Sequence, residues 1–153
     1  GKTLATAESC TGGLLGHRIT NMPGSSGYYL EGVTVYSNQA KIRQLEIPVE
    51  IITRFGSVSK EVAASMALGV MRKSGADFGL SITGIAGPEG GTPEKPVGLV
   101  YIGLAHQKGI SVTKNIFLGK RDIIKFQSSQ KALDILRRFL IRNQKNHSGV
   151  NFK

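Results

Sequence analysis

Ser9, Cys10 and Thr11 stand in a row in the stretch TAESCTGG, with the carboxylate of Glu8 just before them and Gly12 and Gly13 just after. A serine hydroxyl is inert at neutral pH unless a base takes its proton, so a nucleophile here would need a partner from elsewhere in the chain. Small residues running into a glycine pair read as the carboxyl end of a strand entering a helix, which is where open α/β sheets bind ligands. The first amides of such a helix favour negative charge. Two uses fit: binding a phosphate or capping the helix, and stabilising the oxyanion of a carbonyl attacked by Ser9. Cys10 has no histidine near it in sequence and reads as a small packed residue whose thiol burial would leave inert.

Two other stretches carry side chains of interest. VYSNQAK, Val35 to Lys41, runs off the end of a second strand, so Tyr36 and Ser37 reach the same rim if the strands are parallel. Lys41 falls about one turn into the following helix and, on its own, reads as a solvated helix lysine. TGIAGPEGGTPEKPVG, Thr83 to Gly98, holds five glycines and three prolines and is a loop by composition. Loops this long in a small domain usually carry function. It has neither the lysine and hydroxyl of a P-loop nor the glycine spacing of a dinucleotide fingerprint, and it offers no histidine pair or acidic cluster for a metal. No metal and no cofactor are expected.

The elements that must position these residues can be read from pattern. Thr3 to Ala7 is the first strand, and Cys10 or Thr11 to Met22 a helix stopped by PGSS. YYLEGVTVYS is strand two, rich in β-branched and aromatic residues. Asn38 is the expected N-cap of a short helix through Leu45, and a further helical piece lies within Pro48 to Phe55, ended by Gly56. Ser59 caps the longest central helix, which carries Val62, Met66, Val70 and Met71 as its apolar stripe and stops at Gly75. FGLSITG is strand three. VGLVYIGLA is apolar on both alternations, as a strand covered on both faces should be. VTKNIFLG is more mixed and belongs at an edge. Only HQKGIS separates the last two strands, so they form an antiparallel hairpin. A helix from about Asp122 to Arg142, with Leu133, Leu136, Phe139 and Leu140 turned inward, closes the domain. The expectation is an α/β fold, a three-layer α/β/α sandwich with a mixed, mostly parallel sheet of about five strands. One domain spans residues 1–143, and 144–153 form a flexible basic tail.

A chain of 153 residues is enough for one such domain and buries roughly 70% of its unfolded surface without disulfide or metal. One cysteine can make no internal disulfide. No apolar run reaches the length of a membrane span and no secretory signal is visible, so no membrane partner is expected and the cytoplasm is the default. The chain opens on Gly1 and enters a strand almost at once, as a piece of a longer protein would. Its net charge of +10 favours an anionic partner. Much of that charge lies between Lys120 and Lys153, where a solvated helix face explains it. Nucleic acid is a weaker reading, because Phe126, Phe139 and Phe152 are the segment's only aromatics and form no stacking platform.

Together the stretches ATAESCTGG, PGSS, YSNQAK, GSVSKEVAASMALG, TGIAGPEGGTPEKPVGLVY and GKR, in this order from Ala5 to about Leu136, resemble the CinA carboxy-terminal domain family, the nicotinamide-nucleotide amidases or nicotinamide mononucleotide deamidases. The amino-terminal helix that usually precedes the family's first strand has no counterpart here, nor does the second enzymatic domain to which some members are fused. The resemblance implies hydrolysis of the carboxamide of nicotinamide mononucleotide to nicotinate mononucleotide and ammonia. It makes Ser9 the nucleophile, Lys41 its general base, and Tyr36 a residue that holds Lys41 or relays a proton to the leaving ammonia. An unperturbed lysine, with a pKa of about 10.4, must lose roughly three units to serve as a base near neutral pH. Burial and nearby positive charge push that way, so Glu8 is expected to point elsewhere, bonding backbone or capping a turn.

Oxyanion donors are expected among the backbone amides of Cys10, Thr11 and Gly12, or of Thr83 and Gly84, with Gly13 also counted among the substrate-binding residues. The substrate phosphate is assigned to Arg121 with the hydroxyls of Ser25 and Ser26. The partner implied is a small-molecule substrate, with self-association, a dimer, as the expected assembly. The rival reading is a non-catalytic nucleotide-binding or regulatory module linked to competence or the DNA-damage response.

Overall fold

A computed structural model describes residues 1–147 of the chain. Among the described residues, five strands and five α-helices follow in the order β1 Leu4–Glu8, α1 Leu14–Thr20, β2 Tyr29–Thr34, α2 Asn38–Leu45, α3 Val49–Phe55, α4 Lys60–Ser74, β3 Phe78–Gly84, β4 Leu99–His106, β5 Gly109–Ile116 and α5 Arg121–His147. The sheet order is β2-β1-β3-β4-β5. β2, β1 and β3 run parallel, while β4 and β5 are antiparallel to their neighbours. The expected mixed three-layer sandwich is therefore the fold, with β5 at an edge.

The two faces of the sheet are read off its alternation. Leu4 in β1, Phe78, Leu80 and Ile82 in β3, and Val100, Ile102 and Leu104 in β4 pack with Leu15 and Ile19 of α1 and Ile124 and Ala132 of α5. Ala5 and Ala7 of β1 face the other way, toward Leu45 of α2, Ile52 of α3 and Val62, Met66 and Val70 of α4. Side chains one residue apart on a strand leave by opposite faces, so β1 feeds both cores.

α4 lies unusually close to the sheet. A Cβ on Gly79 would come within 2.0 Å of the Ala67 carbonyl oxygen, and Ser81 Oγ donates to the Ala63 carbonyl at 2.6 Å. The caps of α4 are as expected: Ser59 Oγ accepts from the Val62 amide, and Gly75 ends the helix in a left-handed conformation.

Several bounds differ from expectation. α1 begins at Leu14, because Gly12 and Gly13 sit at positive φ and hold a turn before the helix starts. Ser37, not Asn38, caps α2 by accepting from the Ala40 amide at 3.1 Å. β5 begins at Gly109, so the hairpin turn is tighter than HQKGIS implied. α5 continues through His147, so the start of the expected flexible tail is helical; 148–153 lie outside the described residues. Among the described residues, no helix is long and apolar enough to cross a membrane.

Candidate active site

Because β1, β2 and β3 are parallel, the segments that follow them open at one rim: Ser9 after β1, Tyr36 to Lys41 after β2, and the glycine-rich loop after β3. The alternation of β1 then separates two neighbours. Glu8 leaves toward α1, and Ser9 leaves toward α2.

Glu8 is buried, and its carboxylate receives three backbone amides: Gly13 and Leu15 donate to Oε2 at 3.1 and 2.9 Å, and Gly16 to Oε1 at 2.8 Å. The first amides of α1 are thus satisfied by the chain's own anion. They are not free for a phosphate, so of the uses left open for this helix end capping fits, and Glu8 bonds backbone as expected. The same bonds fix the turn from Ser9 to Gly13, in which the Gly12 amide donates to the Ser9 carbonyl at 3.1 Å.

On the opposite side, Lys41 Nζ lies 3.1 Å from Ser9 Oγ, with the Tyr36 carbonyl at 3.5 Å as its other acceptor. Lys41 is only 2% exposed, because it shares the buried stripe of α2 with Leu45 one turn later. The solvated helix lysine suggested by its isolated context is therefore not what the fold makes of it. No carboxylate pairs with it among the described residues. Desolvation drives the Lys41 pKa down, since a buried ammonium loses hydration that no counter-charge replaces. An ionised Cys10 would oppose this, but burial pushes that thiol up to about 12, so it stays protonated and uncharged. Neither His17, on α1, nor His106, stacked on Phe139 at the far end of β4, belongs to the rim.

Tyr36 meets Lys41 through its main chain rather than its ring. Its side chain is 59% exposed, and its hydroxyl accepts from Arg121 Nη2 at 2.8 Å. Arg121 Nη1 donates to the Gly87 carbonyl at 2.7 Å. These two oxygens orient the guanidinium, and no carboxylate forms an ion pair with it among the described residues. Arg121 also lines a cavity of about 750 Å³ with Lys120, Asp122, Lys125, Leu14, Ala86 and Val97. Lys125 has no role in the sequence-based assignment. Its Nζ lies 3.6 Å from where a Gly12 Cβ would be, above the turn that carries Ser9. Spacing carries the signal, since Lys125 follows Arg121 by one helical turn and shares its face.

Ser25 and Ser26 are not brought to this rim. They form a short 3-10 turn before β2, and the Leu4 amide bonds the Tyr28 carbonyl at the amino ends of β1 and β2. A five-residue strand puts them roughly 15 Å or more from Ser9. Thr83 Oγ1 turns to the α3–α4 connection and donates to the Ser57 carbonyl at 2.8 Å. Along β3 the amides alternate sides. The Ile82 carbonyl accepts from the Ser9 amide, so Gly84 N–H faces the Ser9 side and Thr83 N–H faces β4. Thr11 is fully buried, with a hydroxyl that has no hydrogen-bond partner among the described residues. No group of three His, Cys, Asp or Glu side chains placed to hold a metal occurs among the described residues.

Comparisons with known proteins bear on the family and the fold. The model of the CinA C-terminal domain matches residues 1–140. A putative competence-damage inducible protein of Moorella thermoacetica is 55% identical over 90% of this chain and 33% of its own length. A CinA-like protein of Desulfotalea psychrophila is 53% identical over 94% of this chain and 35% of its own. The chain thus spans about a third of the curated relatives it matches. Among solved structures, competence/damage inducible protein CihA of Agrobacterium tumefaciens is 38% identical with a TM-score of 0.88, covering 90% of this chain and 85% of that one. A CinA superfamily protein of Klebsiella pneumoniae 700603 is 31% identical with a TM-score of 0.90, covering 93% and 89%. On its sequence from end to end of the matched region, and on its fold, the chain belongs to the CinA C-terminal domain family.

Proposed function

We propose that the chain hydrolyses the carboxamide of nicotinamide mononucleotide, releasing ammonia and nicotinate mononucleotide. The observation that carries the proposal is a buried lysine without a carboxylate partner, 3.1 Å from a serine hydroxyl at the ligand-binding rim of the sheet. A lysine kept from its usual charge is what a serine without histidine requires.

In this reading Ser9 Oγ attacks the carboxamide carbon while its proton passes to Lys41 Nζ. The oxyanion is met by Gly84 N–H from one side and by the Cys10 or Thr11 amide from the other, a pair of donors on the order of 3 kcal/mol each at the transition state. Collapse breaks the C–N bond, and the Lys41 ammonium returns the proton to the departing nitrogen, which leaves as ammonia. Water then attacks the acyl-serine, giving its proton to Lys41; as the ester bond breaks, Lys41 protonates Ser9 Oγ. The substrate's pyridinium keeps positive charge near Lys41 and favours its neutral form. Arg121, with Lys125 beside it, takes the 5′-phosphate in the cavity. Each charge-assisted bond is worth roughly 1.5–3 kcal/mol, enough to separate the nucleotide from free nicotinamide.

The test is ammonia release from nicotinamide mononucleotide by the wild type, Ser9→Ala and Lys41→Met. Turnover by the wild type and its near-complete loss in both variants is expected, with nucleotide binding retained in Ser9→Ala. Wild-type turnover in Ser9→Ala would remove the nucleophile assignment. Tight binding with no turnover by the wild type would favour the non-catalytic nucleotide-binding module instead.

A further inference from the structure

The glycine-rich loop between β3 and β4 contains a lysine that the reaction above does not use. Thr92 and Lys95 close a tight turn: Lys95 N–H donates to Thr92 Oγ1 at 3.0 Å, and Thr92 N–H donates to the Lys95 carbonyl at 2.8 Å. That turn sends the Lys95 side chain back toward the α3–α4 connection. There Nζ donates to the carbonyls of Phe55 and Val58 at 2.8 and 2.9 Å. The carbonyl of Phe55, the last residue of α3, has no later turn of its own helix to receive a bond from. The connection lies close beneath the ammonium, since a Cβ on Gly56 would stand 2.9 Å from Nζ. Between the two acceptors, the Ser57 carbonyl takes the Thr83 hydroxyl.

Without Lys95 the loop would be held mainly at its base and at one point beyond it. At the base, the Ile85 amide bonds the Leu99 carbonyl and the Gly98 amide bonds the Ile85 carbonyl. Beyond it, the Gly87 carbonyl takes Arg121 Nη1. The stretch from Pro88 to Glu94 is exposed. Yet this loop supplies Ala86, Pro88 and Val97 to the wall of the cavity that Arg121 and Lys125 line. A lysine suits the task, because its flexible stem and three donors can bridge two carbonyls that face no charge of their own.

We infer that Lys95 is a positioning residue. By latching the glycine-rich loop to the α3–α4 connection, it holds the Gly87 carbonyl where it orients Arg121, and so sets the preference for a phosphorylated over an unphosphorylated amide substrate. The inference rests on the reading of this site as a nucleotide amidase with Arg121 at the phosphate.

The experiment compares wild type, Lys95→Met and Lys95→Arg with nicotinamide mononucleotide and with nicotinamide riboside, measuring both ammonia release and direct binding by calorimetry. In Lys95→Met the KM and Kd for the nucleotide should rise roughly tenfold, the loss of about one such interaction. Its kcat should stay within about twofold, and the riboside values should not move. Lys95→Arg should recover most of the nucleotide preference. Hydrogen exchange on the free protein should quicken for amides between 86 and 97 in Lys95→Met and remain unchanged in α4. A change that strikes nucleotide and riboside equally overturns the inference, as does wild-type loop exchange in Lys95→Met. If the wild type binds the nucleotide in preference to the riboside yet releases no ammonia, the amidase reading falls, and the ratio of the two Kd values in Lys95→Met still decides the role of Lys95. A wild type that does not prefer the nucleotide at all overturns both the phosphate assignment and this inference.

Discussion

Replacing Glu8 by glutamine tests whether the turn before α1 is held by an internal anion. The carboxylate accepts two amides on Oε2 and one on Oε1. A glutamine of the same shape can keep its oxygen on the Gly13 and Leu15 amides, but its NH₂ then faces the Gly16 N–H, donor against donor. The variant loses one charge-assisted bond outright and the ionic component of the other two. At roughly 1.5–3 kcal/mol for a bond to a charged group, against about 1 for a neutral one, the loss runs from about 2.5 to about 7 kcal/mol. For a domain of this size even the lower figure corresponds to a fall in Tm of roughly 5–10 °C. Denaturant unfolding and a thermal scan at neutral pH measure it directly. A Glu8→Gln protein within about 0.5 kcal/mol of wild type would refute the reasoning, because then the three amides would not depend on the charge they face.

Three other outcomes follow from the same structure. Lys41→Met should stabilise the fold by about 1 kcal/mol while removing activity, the usual relation at a site built for function rather than stability. Its pH dependence has a definite sign. The folded-state pKa of Lys41 lies below the unfolded one, so between the two the unfolded chain holds more protons. Wild-type stability should therefore climb as pH rises through that alkaline window, with the Lys41 contribution to the slope absent from Lys41→Met; matching slopes in denaturant titrations would count against a desolvated ammonium. Arg121→Ala should raise KM for the nucleotide tenfold or more with a smaller effect on kcat, whereas the double change of Ser25 and Ser26 to alanine should leave KM where it was, as steady-state kinetics will tell. Gly79→Ala should cost several kcal/mol, since the new Cβ meets the Ala67 carbonyl at 2.0 Å and the backbone of α4 must move away; chemical denaturation checks it.

Elements whose ends are marked by local chemistry are legible in the sequence. FGLSITG is β3 residue for residue, and α4 runs from the Ser59 cap to Gly75 because a side-chain acceptor and a left-handed glycine each act within a turn. α1 is harder. Its apolar pattern extends back toward Cys10, but the positive φ of Gly12 and Gly13 delays the helix to Leu14. Residue type and family resemblance put the hydroxyls of Ser25 and Ser26 with the phosphate, and only the strand directions reveal that they lie at the opposite rim. The expectation for Tyr36 has its ring acting on Lys41, yet it is the carbonyl that lies near the amine while the hydroxyl turns to Arg121. Resemblance names the pairing of Ser9 with Lys41, but sequence spacing does not reveal it, because it depends on β1 sending Ser9 and Glu8 to opposite faces. The sequence does hold one clue. Lys41 precedes Leu45 by four positions, so a helix that buries Leu45 must bring the lysine inward with it.

Cys10 adjoins the candidate nucleophile and is the chain's sole sulfhydryl. Enclosed, protonated and with its pKa lifted to about 12, it presents almost no thiolate to iodoacetamide, peroxide or a disulfide. The chemistry proposed for this rim uses oxygen and nitrogen, with the neighbouring sulfur sealed away, and should persist through oxidative conditions that disable enzymes built around a reactive cysteine.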